Sequence, residues 1–192
     1  KTGFAKVSGN FNFEVRQELT DDKYNPNDLG ILLNNNFFDN HLYLGYKVVK
    51  PYKWHNSIYY NFNLTYSQRF SPRTYQKLEI NANVNGQLKN LWYVGMDVTF
   101  QPEGNDFYEP RVNGKVFRSP QSFEFGGFFN SNRAKKYSGY GEASVKLNKR
   151  YGWSCELELG QQYRINDKIS FGHTIRYSPH FNDAGFTEVL GN

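Results

Sequence analysis

Apolar and polar residues alternate along the chain from Ile58 to Phe100. Ile58, Tyr60, Phe62, Leu64 and Tyr66 are apolar or aromatic, whereas Ser57, Asn61, Asn63, Thr65 and Ser67 are polar. After Phe70-Ser71-Pro72-Arg73 the alternation restarts, with Leu78, Ile80, Ala82 and Val84 set against Lys77, Glu79, Asn81, Asn83 and Asn85. A turn at Lys89-Asn90 leads into Trp92, Val94, Met96, Val98 and Phe100, which alternate with Tyr93, Gly95, Asp97 and Thr99. Period two predicts strands with one apolar and one wet face. These three are joined as an up-and-down meander.

The same period governs the flanks. Phe4 to Leu19 reads as one long strand, with Ala5, Val7, Gly9, Phe11, Phe13 and Val15 facing one way. Asp21-Asp22-Lys23 and Asn34-Asn35-Asn36 are turn chemistry, which predicts a long loop over 20–40. Leu42 to Val48 forms the next strand, closed by Pro51. A second long loop covers 102–122, and Val112-Asn113-Gly114-Lys115 predicts a small folded hairpin inside it, because Asn and Gly tolerate the positive φ of a type I′ turn. Alternation resumes at Phe123, Phe125 and Phe129, at Gly141 to Leu147, at Trp153 to Leu159 and at Ile169 to Tyr177, where His173 interrupts the apolar face. About nine strands result, with no helical periodicity.

Strand length decides the class. Globular strands run to about five or six residues, and a tilted strand crosses a bilayer in about nine to eleven. The alternating segments here reach membrane length, with Asn, Ser, Thr, Lys and Glu on one face and no charge on the other. A Lys or Arg on the lipid face at mid-membrane would cost about 2–4 kcal/mol. The expected fold is therefore an all-β, antiparallel, up-and-down transmembrane β-barrel, with even-numbered residues of the 58–100 meander facing lipid. Trp54, Trp92 and Trp153 all flank turns, where interfacial aromatics of such barrels concentrate. An odd strand number, together with termini at Lys1 and Asn192 that match neither a leader nor a closing strand, leads to the expectation that residues 1–192 are part of one larger barrel domain.

Composition narrows the picture further. Aromatic residues make up 18% of the 192 residues, yet mean hydropathy is -0.76, and no run of about 18 apolar residues marks a transmembrane helix. The net charge of +5 is carried by Lys and Arg scattered over loops and polar strand faces rather than along a stripe, which argues against a nucleic-acid partner. Cys155 is the lone cysteine, so no disulfide framework exists, and its strand position puts it on the apolar face.

Candidate chemistry is sparse. Asp106, Tyr108, Glu109, Arg111 and Arg118 cluster in the second long loop, where acids, guanidinium groups and an aromatic face could bind a sugar, a peptide or a carboxylate. The competing expectation is architectural, with Glu109 and Arg111 paired across the hairpin. Glu156 and Glu158 project to one face about 6.6–6.8 Å apart, a separation compatible with an inverting glycosidase. No residue nearby supplies a raised pKa, and Lys146 or Arg164 offers ordinary ion-pair partners, so no catalytic role is expected. Glu156, Glu158, Lys77, Glu79 and Asp97 are expected to face the lumen. The four histidines have no metal-ligand spacing, and neither a metal nor a cofactor is expected.

Tyr24-Asn25-Pro26-Asn27-Asp28-Leu29-Gly30-Ile31-Leu32 with Asn34-Asn35-Asn36, and Asn105-Asp106-Phe107-Tyr108-Glu109-Pro110-Arg111 with Gly114 and Phe117-Arg118-Ser119-Pro120, resemble a Bacteroidetes outer-membrane family of unknown function. That family couples an N-terminal carbohydrate-binding-module-9-like domain to a large C-terminal β-barrel. Asn182-Asp183-Ala184-Gly185-Phe186 echoes the first motif. The resemblance implies a bacterial outer-membrane location and a carbohydrate-linked role; the hydrolase label carried by some members finds no catalytic constellation here. The resulting expectation is a non-enzymatic barrel that passes or binds a ligand, or serves as a subunit of an envelope assembly. Its partners would be outer-membrane lipid and other envelope proteins or glycan. The alternative is a soluble extracellular β-sandwich that binds glycans.

Overall fold

The computed structural model describes residues 1–24, 35–110, 112, 114–150 and 152–182. They form an all-β chain without a helix. In order the strands are β1 (Thr2–Lys6), β2 (Phe11–Thr20), β3 (Phe37–Val48), β4 (His55–Arg69), β5 (Tyr75–Leu88), β6 (Tyr93–Gln101), β7 (Gly104–Asp106), β8 (Phe117–Ser119), β9 (Ser122–Asn130), β10 (Tyr137–Asn148), β11 (Gly152–Arg164), β12 (Ser170–Tyr177) and β13 (His180–Phe181). Eleven of them make one antiparallel sheet in the order β1-β2-β3-β4-β5-β6-β9-β10-β11-β12, with β13 continuing alongside β11 beyond Ser178-Pro179. β7 and β8 form a separate hairpin, and β1 and β12 at the sheet's two ends are unpaired with each other. The central strands are long, 15 residues in β4 and 14 in β5.

Residues paired across neighbouring antiparallel strands share a face, so the register shows how the periods align. One row reads Phe4, Val15, Leu42, Leu64, Ile80, Phe100, Phe123, Leu147, Trp153 and Phe181. The next reads Phe13, Leu44, Phe62, Ala82, Val98, Phe125, Val145 and Cys155. Two further rows, one through Phe11, Tyr60, Met96 and Leu157 and one through Val48, Ile58, Phe129 and Ile175, continue the surface. All lie on one face. Of the large apolar side chains in the sheet only Ile58 is buried among the described residues, whereas Phe125 and Leu147 are each 53% exposed. The apolar face of the sheet is thus left exposed, with no second layer of described residues upon it.

The opposite face is bound together by side chains. Tyr43 donates its hydroxyl to Asn61 Oδ1 (2.9 Å), Asn61 Nδ2 to Asn83 Oδ1 (2.7 Å), and Asn63 and Asn83 both donate to Asn81 Oδ1 (3.2 and 3.1 Å). Asn81 Nδ2 in turn donates to Thr99 Oγ1 at 2.9 Å. The amide chain crosses four strands, β3 to β6. Gly45 and Gly160 on this face make room for rings, since a Cβ at either would overlap Tyr43 or Tyr140.

Three expectations need correction. Phe4 to Leu19 is not one strand: the chain reverses between β1 and β2, with Gly9 at φ 82°. Ser8-Gly9-Asn10 is turn chemistry that the surrounding alternation masked. The reversal also exchanges faces, so Phe4 lies opposite Val15, while Ala5 lies opposite Glu14 on the polar face. Lys6 shares the apolar side but bends its Nζ to the carbonyls of Ser8 and Phe11, 2.6 Å each. Second, β3 starts at Phe37, which shortens the first long loop to 21–36; its start was illegible because Asn40 interrupts the apolar face and is met there by Gln17 Nε2 at 2.8 Å. Third, the strands number thirteen among the described residues rather than about nine, the additions being the extra N-terminal strand, β7, β8 and β13.

Candidate functional site

The described parts of the connections 21–36 and 102–121, with the 70–74 turn, lie at one end of the sheet by strand direction, and side chains tie them together. Asn36 is the knot. Its Nδ2 donates to the Ser71 carbonyl (2.6 Å), its Oδ1 accepts from the Ser71 amide (2.7 Å), and its amide donates to the Asp21 carbonyl (3.0 Å). Asn36 has φ 56°, a left-handed conformation that Asn adopts more readily than most residues.

The β7–β8 hairpin folds over the polar face at this end. At its tip Gly114 has φ 77° and the Lys115 amide donates to the Val112 carbonyl at 3.2 Å, while Asn113, the other half of the expected type I′ turn, lies outside the described residues. Asp106 Oδ1 accepts the amides of Tyr108 (2.8 Å) and Glu109 (2.9 Å), closing an Asx turn. Asn105 Nδ2 reaches the Tyr75 carbonyl at 3.0 Å, and Arg69 lies over the Phe107 ring at 4.9 Å from its centroid. Tyr108 donates its hydroxyl to the Asn35 carbonyl and so bridges the two long loops. Burial raises its phenol pKa above the ordinary 10.0.

Between flap and sheet lies a cleft of about 290 Å³ lined by Asp39, Ser67, Gln76, Lys77, Asp106 and Tyr108. It offers carboxylates, amides, hydroxyls and an ammonium, the donor and acceptor mix that a polyhydroxylated ligand would meet. Of the loop residues singled out from sequence, Asp106 and Tyr108 hold the flap and line the cleft. Glu109 and Arg118 are exposed, and Arg111, with its expected partnership to Glu109, lies outside the described residues. The motif from Asn25 to Asn34 and its echo beyond Asn182 also lie outside them. Asn36, Asp39, Arg69 and Gln76 were missed; the Asn34-Asn35-Asn36 run was their only signal, read as turn chemistry alone.

Lys77, Glu79, Asp97, Glu156 and Glu158 all fall on the polar face. Glu79 accepts from Gln101 Nε2 at 2.8 Å and lies 3.8 Å from the Lys77 ammonium. Asp97 fills the space above Gly126, where a Cβ would press on its Oδ1. Glu158 is held by the Arg176 guanidinium, with Nε at 2.8 Å, and by the Tyr140 hydroxyl at 2.9 Å. Its partner is thus its direct register neighbour Arg176, not Lys146 or Arg164. A carboxylate so engaged is poorly placed to act as an acid. Trp54 and Trp92 flank turns at the end opposite the flap, and Trp153 sits at the flap end, stacked on Phe181 with centroids 5.8 Å apart. Among the described residues no three His, Cys, Asp or Glu side chains converge as a metal site.

Fold and site together define a protein built on one antiparallel up-and-down sheet, apolar on one face and hydrogen-bonded on the other, with a polar cleft roofed by a hairpin. The chain belongs to the family described as Domain of unknown function (DUF5916), whose model matches residues 1–192. Comparison with curated proteins and with solved structures gave no match.

Proposed function

We propose that the chain is wall of a non-enzymatic outer-membrane β-barrel, its apolar face toward lipid and its polar face toward a lumen, and that it passes or binds a polar, carbohydrate-linked ligand or serves as a subunit of an envelope assembly. The observation that carries this reading is the run of apolar rows across the sheet, uncovered on the outside and backed by an amide network. Apolar surface in contact with water costs about 25 cal/mol per Å² relative to burial, and contiguous patches of this size mark an interaction surface. The apolar face of β4 runs from Ile58 to Tyr66, the length of about nine to eleven residues with which a tilted strand crosses a bilayer. Trp residues at both ends of the strands fit the two interfacial girdles of such barrels. A soluble sandwich needs a second apolar layer, and among the described residues the only element off the sheet is the hairpin on the polar side.

Cys155 tests the assignment of faces, because it lies on an apolar row and is the chain's one thiol. In membranes carrying the full-length protein, a charged, water-soluble maleimide is expected to leave Cys155 unmodified until the protein is unfolded in denaturant, because the reactive thiolate does not form in hydrocarbon. In a Cys155→Ala background, Ser154→Cys on the polar face is expected to take the water-soluble reagent. Equal aqueous labelling of both positions would contradict the proposal.

A further inference from the structure

At the end of the sheet opposite the flap, two turns approach each other on the polar face. The 131–136 turn joins β9 to β10 and the 165–169 turn joins β11 to β12. Between them is a cleft of about 260 Å³ whose lining includes the cations Arg133, Lys135, Lys136, Arg164 and Lys168, with Asp167 as the one carboxylate. These cations lie apart in sequence and meet because Lys136 and Arg164 are adjacent in register, the Arg164 amide donating to the Lys136 carbonyl at 2.7 Å.

The cleft is built rather than incidental. Arg164 turns its guanidinium onto the carbonyls of Arg133 (3.3 Å), Ala134 (3.0 Å) and Lys135 (3.4 Å), which fixes the first turn. Asn166 Oδ1 accepts the amides of Lys168 and Ile169, 2.9 Å each, which fixes the second. The three lysines have no carboxylate within ion-pair distance among the described residues. Ser138, only 7% exposed, lines the same cleft with a hydroxyl that has no hydrogen-bond partner among the described residues. Unpaired ammonium groups around a free hydroxyl leave local positive potential and unused donors.

We propose that this cleft binds a phosphate-type anion. Ammonium groups lining one cleft supply the charge-assisted hydrogen bonds that phosphoryl oxygens accept. A lipid headgroup and a soluble phosphate share this chemistry, but Lys136, Ser138, Gln162 and Arg164 stand on the polar face, away from the apolar rows where acyl chains would lie. The ligand is therefore a soluble phosphate or phosphoester at the mouth of the polar face. The cleft does not depend on what covers the apolar face, so this inference and the barrel reading can fail separately.

The test is calorimetric titration of the full-length protein, in nonionic detergent at low salt, with inorganic pyrophosphate. The Lys136→Gln/Lys168→Gln double variant is expected to bind about tenfold more weakly or worse, two charge-assisted contacts being lost. The Lys50→Gln/Lys89→Gln control removes two exposed cations from other turns at the same end and is expected to bind like the parent. No binding by the parent, or equal weakening in both double variants, overturns the proposal. Vesicles of phosphatidylglycerol separate the two sources: the cleft variant is expected to be retained as the parent is, and lost retention with unchanged pyrophosphate affinity would assign the lysines to headgroups and overturn a soluble ligand.

Discussion

Val145→Arg is expected to prevent stable insertion of the protein, while Ser144→Arg, one residue away, leaves it folded. Val145 sits on β10 in the apolar row between Phe125 and Cys155, near the middle of the band, and is 42% exposed. If that exposure is to hydrocarbon, an arginine there costs about 2–4 kcal/mol, and each 1.4 kcal/mol or so lowers the folded-to-unfolded ratio about tenfold. Ser144 points to the other face, opposite Gly126 and Glu156. An arginine there gains a glutamate neighbour and keeps its head in water. Urea titration of the two variants in lipid vesicles reads the difference. Matching midpoints for both would mean that the two faces meet the same solvent.

Asn81→Ala is expected to lower stability by about 1–3 kcal/mol, because it strands partners rather than removing one bond. The Asn81 carbonyl oxygen takes the amides of both Asn63 and Asn83, and its amide group supplies Thr99 Oγ1. Those groups are part-buried against one another, so water restores them incompletely. Asn63→Ala combined with Asn81→Ala is expected to cost less than the sum of the two single changes, since the second substitution finds the shared bond already gone. Thermal unfolding of the four proteins in detergent measures this coupling. Strict additivity would show that the Asn face is simply hydrated and the network contributes nothing.

The period-two pattern made the sheet legible, because each alternating segment states its own faces: Leu64, Ile80, Phe100 and Phe123 could be placed on one side before their register was known. Local turn chemistry was equally readable at Lys89-Asn90 and Asn166-Asp167. What stayed hidden depends on register across the sheet. Glu158 could not be matched to Arg176, nor Lys136 to Arg164, without knowing the offset between strands. Basic residues that look scattered along the chain are gathered by two turns into one cleft. The cleft under the flap was half legible: Asp106 and Tyr108 stood out, but Asp39 and Gln76 come from strands whose ends the pattern had blurred. Ser8-Gly9 shows the converse, a turn concealed because the residues around it kept alternating.

The central claim is that the apolar rows face lipid, and partition of the full-length protein tests it most directly. Membranes are sedimented, washed with carbonate, and run on gels with and without boiling. The account predicts retention in the outer-membrane fraction and migration that shifts on heating, as an intact barrel resists detergent until it is unfolded. Release into the soluble fraction without detergent would contradict it and would mean that another protein layer covers those rows.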